Sequence, residues 1–218
     1  MKTKSYFKLA LTLTGAALTT SSFGATVEIP ILKDARIMQA HKYNNTGAEP
    51  ALWIKSGNGA DRIVTEFDIS SLIGTPLDSI VSAQIQFVTD YTRQRRSYYT
   101  QDGFQIEVRR ILTDFEEGNG VWDRYTVRLN WPNERGPEVK PKHASGLATT
   151  WACPTDLIAD NDKNNCPVQW NGASYQASNV VSPPTTVYRE MPAIDGLQYV
   201  HFDVTDDFID LISSNSDK

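Results

Sequence analysis

Residues 52–67 read LWIKSGNGADRIVTEF, two stretches of apolar and polar alternation on either side of Gly57-Asn58-Gly59. Alternation at period two marks a strand with one covered face, and Asn-Gly is a favoured pair for a two-residue type I′ hairpin turn. Centring the turn on Asn58 and Gly59 pairs Ser56 with Asp61, Lys55 with Arg62, Ile54 with Ile63 and Trp53 with Val64. Leu52, Ile54, Ile63, Thr65 and Phe67 then face a core, while Trp53, Lys55, Arg62 and Val64 face outward.

The same period recurs along the chain. Ala83, Ile85, Phe87 and Thr89 form the inward row of one strand, Phe104, Ile106 and Val108 of another, and Val200, Phe202 and Val204 of a third. Helical spacing is confined to DDFIDLISS, where Thr205 or Asp206 can cap a short helix that buries Phe208, Leu211 and Ile212. Strands separated by Gly, Asn and Pro turns point to an all-β, antiparallel β-sandwich with one short C-terminal helix. Residues 132–197 differ, with eight of the eleven prolines and little alternation beyond TTVYRE. They read as a long, irregular, proline-rich insertion.

The N-terminus places the chain in the cell. Lys2, Lys4 and Lys8 precede an apolar stretch from Leu9 to Leu18, and Ser22 and Gly24 have the small side chains that signal peptidase requires, so residues 1–24 read as a secretory leader. Its apolar run is about half the roughly 20 residues of a membrane helix, and no later segment is longer, so no membrane span is expected. Residues 25–218 are then a single exported domain, secreted or held in the periplasm or at the cell surface of a bacterium. The leader holds three lysines and no acid, so its loss takes the net charge from −5 to −8. Such a balance argues against nucleic acid as a partner.

An exported chain with two cysteines pairs them, and a Cys153–Cys166 disulfide closes a loop of about 14 residues worth on the order of 3 kcal/mol. His41, His143 and His201 have no ligand spacing around it, which leaves zinc without a set. The stretch TTWACPTDLIADNDKNNCPVQW, residues 149–170, reads as a stapled surface excursion. Asp160, Asp162 and Asn164 have the first, third and fifth spacing of a calcium loop, but Asn165 stands where glycine belongs and Asn171 where glutamate belongs. No cofactor is expected, and a structural calcium is left open.

The ordered series DARIMQA, NNTGAEP, RIVTEFDIS, VSAQIQF, FEEGNG, TTWACP and FDVTDDFIDL resembles the DNRLRE or disaggregatase-related domain, grouped with carbohydrate-binding module family 96. The matching positions are Asp34 and Ala35, the turn Asn45-Thr46-Gly47, Phe67 and Asp68, Ser82 and Ala83, and Thr150 and Trp151. Phe115, Glu116 and Glu117 replace the family's Trp-x-Glu. The resemblance implies a jelly-roll sandwich in secreted bacterial proteins, often attached to polysaccharide-active enzymes and in some cases binding acidic polysaccharides. Family members usually carry one more strand after the terminal helix. The expectation is therefore a truncated chain with an unpaired sheet edge near 198–204, and self-association through that edge.

No GxSxG elbow, HExxH pair or glycine-rich phosphate loop occurs, so the chain is not expected to be an enzyme, although it contains the residue types that polysaccharide lyases use. Two clusters suit an anionic glycan. On the hairpin, Lys55 and Arg62 lie across from each other beside Trp53, two cations for a uronate carboxylate and an indole for a sugar face. Like charges in cross-strand register repel, so removing either cation should not cost stability. The second cluster is YTRQRRSYY, residues 91–99, with Arg93, Arg95, Arg96, Tyr98 and Tyr99. The reading is a non-catalytic binding module for an acidic polysaccharide. The alternatives are a structural or adhesive surface domain and a polysaccharide lyase.

Overall fold

The computed structural model describes residues 8–13, 25–49, 52, 54, 59–90, 104–121, 125–126, 138–139, 143–159, 163–173, 175–180, 185–187 and 197–216. The strands are β1 (Lys8–Leu13), β2 (Ala25–Ile29), β3 (Ile31–Met38), β4 (Asp61–Phe67), β5 (Ile80–Asp90), β6 (Phe104–Ile106), β7 (Arg109–Ile111), β8 (Tyr125–Thr126), β9 (Glu138–Val139), β10 (Tyr175–Val180), β11 (Thr185–Val187) and β12 (Leu197–Asp203). One helix, α1 (Thr205–Ser216), follows them. β1 pairs with β2 and with β5, β5 with β12, β6 with β11 and β8 with β9, all antiparallel. The expectation of an antiparallel β protein with one short C-terminal helix is met. Among the described residues no helix is long and apolar enough to cross a membrane.

The chain divides into two units, one built mainly from Leu32–Glu66 and Ile111–Gln176, the other from Tyr6–Ile31, Phe67–Arg110 and Ala177–Lys218. The second unit holds a four-stranded sheet in the order β12-β5-β1-β2. Alternation decides its covered face. Val200, Phe202 and Val204 are buried while His201 and Asp203 are exposed, and Ala83 is buried between the half-exposed Ser82 and the exposed Gln84. Phe208 and Ile212 bring the helix onto the same cluster, with Ile29, Leu72 and Ile80. The Phe87 and Phe202 rings meet edge to face at 5.4 Å, the arrangement that the aromatic quadrupole favours.

The first unit departs from the expected hairpin. Residues 52 and 54 lie outside any strand, Ile54 is half exposed, and the partner of β4 is β3. Gly59 has φ 77°, while Asn58, the other residue of the expected turn, lies outside the described residues. The amides of Gly59 and Ala60 donate to Gln39 Oε1 at 3.1 and 3.0 Å, and Gln39 N donates to Ala60 O at 2.9 Å. These bonds tie the start of β4 to the end of β3. The covered face of β4 changes as well. Val64 is buried with Ala35, Ile37, Phe115, Trp151, Trp170 and Ala173, whereas Ile63 and Thr65 are half exposed. A shift of one position moves every side chain to the other face, and both rows of β4 hold apolar residues, so periodicity alone does not choose between them.

Candidate functional site

The stretch around the disulfide is part core and part surface. Cys153 and Cys166 are bonded, with Cα atoms 5.8 Å apart, so the expected pairing is present. Thr149, Thr150, Cys153 and Asp156 are 0 % exposed, so the first part of this stretch is interior, while Leu157, Ile158 and Val168 are more than half exposed and keep the stapled loop itself at the surface. The cause is hydrogen bonding. Trp170 Nε1 donates to Thr150 O at 2.8 Å, Trp170 N to Ala152 O at 3.1 Å, and Ala152 N to Lys42 O at 3.1 Å. Ala148 and Asp156 form a two-way antiparallel bridge. An irregular segment can be buried when its peptide groups are paired in this way.

Asn45 joins three loops. Its Nδ2 donates to Glu117 O and to Thr149 O, each at 2.8 Å, and its Oδ1 accepts from Gly47 N at 3.1 Å and Gly120 N at 2.8 Å. That satisfies both donors and both lone pairs of a side chain that is 1 % exposed. Gly118 has φ 77°, and a Cβ on it would lie 2.5 Å from Ala148 Cβ, so glycine is required there. The Asn-Thr-Gly and Gly-Asn-Gly motifs thus act together to tie the loops.

Arg62 projects from β4 toward this assembly. Its guanidinium lies 5.0 Å from the Trp151 ring centroid and donates to Gly172 O. Trp151 Nε1 donates to Asn171 Oδ1 at 3.2 Å. Asn171, Gly172 and Ala173 all have positive φ, at 36°, 78° and 68°. Left-handed backbone at a non-glycine residue costs on the order of 1–2 kcal/mol and persists where the surroundings enforce it. A Cβ on Gly172 would lie 2.5 Å from Trp151 Cζ2, so the backbone turns tightly over the indole. The expectation that Arg62 is dispensable for stability is therefore corrected, because its cation has an aromatic face and a carbonyl as partners.

The remaining polar groups flank the same ladder. Lys33 Nζ lies 3.0 Å from Glu66 and 3.1 Å from Asp114, and donates to Phe115 O at 2.9 Å. Burial lowers the affinity of Lys33 for its proton, but hydrogen bonds with Glu66 and Asp114 outweigh that and hold its pKa above the usual lysine value. Arg36 pairs with Glu49 at 3.1 Å, both buried, and with Asp61 at 3.7 Å. Glu117 Oε1 accepts from Asp34 N at 3.2 Å. Burial, and then the charge of Glu117, push the Asp34 carboxyl up to about 6.

Arg62 is the one candidate ligand residue within the described region. Trp53, Lys55, Arg93, Arg95, Arg96, Tyr98 and Tyr99 lie outside it, as do Asp160 and Asp162 of the calcium-like spacing. Among the described residues no group of three or more His, Cys, Asp and Glu side chains could hold a metal ion. His41, His143 and His201 are exposed. Sequence reading missed Trp151, Asn171 and Gly172 as the setting of Arg62; the Asn171-Gly172 pair, a recurrent left-handed turn signal, was the available clue. No family model, curated protein or solved structure matches this chain.

Proposed function

We propose that the protein is a secreted, non-catalytic module that binds an acidic polysaccharide, built as a jelly-roll-like β-sandwich of the disaggregatase-related kind. The observation that carries this reading is the half-buried Arg62, fixed between the Trp151 ring and the Gly172 carbonyl. A guanidinium already held in one orientation loses little side-chain freedom on meeting a carboxylate, and its planar fork matches that group. A uronate is the sugar that presents one. The basic cluster Arg93, Arg95 and Arg96 would extend the same preference.

Calorimetric titration of the exported chain with alginate and pectate oligosaccharides tests this. Arg62→Ala is expected to weaken affinity about tenfold or more, the loss of one charge-assisted hydrogen bond of roughly 1.5–3 kcal/mol. Arg62→Lys keeps the charge but not the fork, and should restore only part. Because the side chain also holds Trp151 and Gly172, Arg62→Ala should lower stability by about 1–2 kcal/mol, so titrations belong well below its unfolding temperature. Undiminished affinity in both variants would move the site to Arg93, Arg95 and Arg96. Absence of binding by the wild type to any acidic glycan would remove the reading.

A further inference from the structure

The turn Asn171-Gly172-Ala173 stands in the same unit as Arg62 and Trp151. Its three residues are left-handed in succession, and two of them carry a Cβ. Asparagine tolerates that region, whereas alanine enters it at a cost. Backbone bonds hold the turn in place: Gly172 N donates to Trp151 O at 2.6 Å, and the preceding Trp170 sends its amide to Ala152 O at 3.1 Å. Asn171 is exposed, although Trp170, Gly172 and Ala173 around it are buried. Chemistry then decides which way its carboxamide faces. An indole N–H can only donate, so the group that meets Trp151 Nε1 at 3.2 Å is the amide oxygen. The Nδ2 group is thereby turned away from Trp151, and among the described residues it has no protein partner. Arg62 is tied to the same indole, with its guanidinium 5.0 Å from the ring centroid, and to the carbonyl of Gly172, the residue next to Asn171. Guanidinium groups also only donate. Two groups with donors to offer and no lone pair facing out are thus fixed around one tryptophan.

From this we infer that Asn171 is a second ligand-contacting residue of the Arg62 site: its Nδ2 donates to an oxygen of the same uronate whose carboxylate Arg62 engages. The inference rests on the acidic-polysaccharide reading and narrows it. A surface that offers donors alone matches a sugar rich in acceptors, with carboxylate and hydroxyl oxygens side by side. It disfavours an amino sugar, whose ammonium group would face the guanidinium. The identity of residue 171 then becomes a specificity choice. Aspartate would tolerate the left-handed backbone and accept from Trp151 Nε1 as asparagine does, but it would set a carboxylate against the ligand's own. The carboxamide keeps the bond to Trp151 and supplies a donor on its far side, and its orientation is set before the ligand arrives, so little side-chain freedom is lost on binding.

Two measurements test it. In side-chain amide NMR spectra of the wild type, titrated with alginate or pectate oligosaccharides, the Nδ2 protons of Asn171 should shift as the ligand saturates. Those of Asn45, both already bonded inside the protein, should not. In calorimetry on the same oligosaccharides, Asn171→Gly, which suits left-handed backbone and removes the donor without adding charge, should weaken affinity about threefold to tenfold. Asn171→Asp should weaken it about tenfold or more, with the melting temperature of the wild type, because the turn and the bond to Trp151 are kept. If Asn171→Gly does not fold, the wild-type spectra decide by themselves. Binding by the wild type with no shift of the Asn171 amide, or with undiminished affinity in Asn171→Gly, overturns the inference while the polysaccharide reading stands. Loss in Asn171→Asp alone also overturns it, since a negative charge beside Arg62 weakens an anion without contact. A wild type that binds no acidic glycan removes the polysaccharide reading and this inference with it.

Discussion

Asp34 is a part-buried carboxyl of the first unit with a second carboxylate, Glu117, beside it. Its pKa of about 6 arises from burial and then from Glu117, both of which disfavour its charge. A carboxyl whose folded pKa exceeds its unfolded value contributes stability that is complete below the unfolded pKa, near 4, and is lost as pH rises through 6. The protein should therefore gain stability as pH falls from 7.5 to about 4.5, and Asp34→Asn should flatten that part of the profile. Because the site is partly open to water, the gain is reduced to on the order of 1 kcal/mol. Denaturant titrations at four pH values check it, and a wild-type profile no steeper than the variant's would show that Asp34 ionises normally. Asn45, Thr46 and Thr149 carry a different lesson. Polar types read from sequence as turn or surface are buried here, because backbone partners satisfy their side chains. Sequence names the donors and acceptors but does not show that residues 72 and 104 positions apart will supply the matching groups.

At the scale of elements, alternation served well where one row of a strand was apolar and the other polar. Val200 and Phe202 in β12, Val204 just after it, and Ala83 in β5 fall on the buried side as expected. It failed on β4, whose two rows each hold an apolar residue, and the burial of Val64 was settled by Trp151 and Phe115 from distant loops. The expected helix forms over Thr205–Ser216, but its start is braced by Asp203 rather than capped by Thr205 or Asp206, since Thr205 is its first residue. Asp203 Oδ1 accepts from Thr205 N at 3.0 Å and from Thr205 Oγ1 at 2.6 Å, while Thr205 Oγ1 accepts from Ala83 N at 2.9 Å. Hydrogen bonds with Thr205 hold the Asp203 carboxyl below the usual range. Such a depressed group contributes stability above its unfolded pKa and loses it as pH falls through the folded one. Asp203→Ala should accordingly cost about 1 kcal/mol at pH 7, with the difference from wild type shrinking below pH 4. Parallel thermal melts at pH 7 and pH 3 measure it; equal stability at pH 7 would mean that Asp203 does not brace the helix start.

At the scale of the molecule, stability rests on two clusters of different composition. One is a sheet and helix core of aliphatic residues and phenylalanine; the other gathers Trp151, Trp170 and Phe115 where short ladders and loops supply most of the backbone pairing. The covalent link stands in this second cluster's unit, and unlike the hydrogen bonds it persists in the unfolded chain. Closing a loop across a separation of 13 residues should contribute on the order of 3 kcal/mol by restricting the unfolded chain. Replacing both cysteines, as Cys153→Ala with Cys166→Ala, should therefore lower stability by about that amount. The loss should show first as faster exchange at the amides of Thr150, Ala152, Trp170 and Gly172, whose bonds to Cys153, Lys42, Ala152 and Trp151 bracket the loop. Native-state hydrogen exchange on the wild type and the double variant reads this directly. Exchange unchanged at those four amides would mean that the tryptophan packing holds the loop by itself and that the disulfide acts elsewhere in the unfolding path.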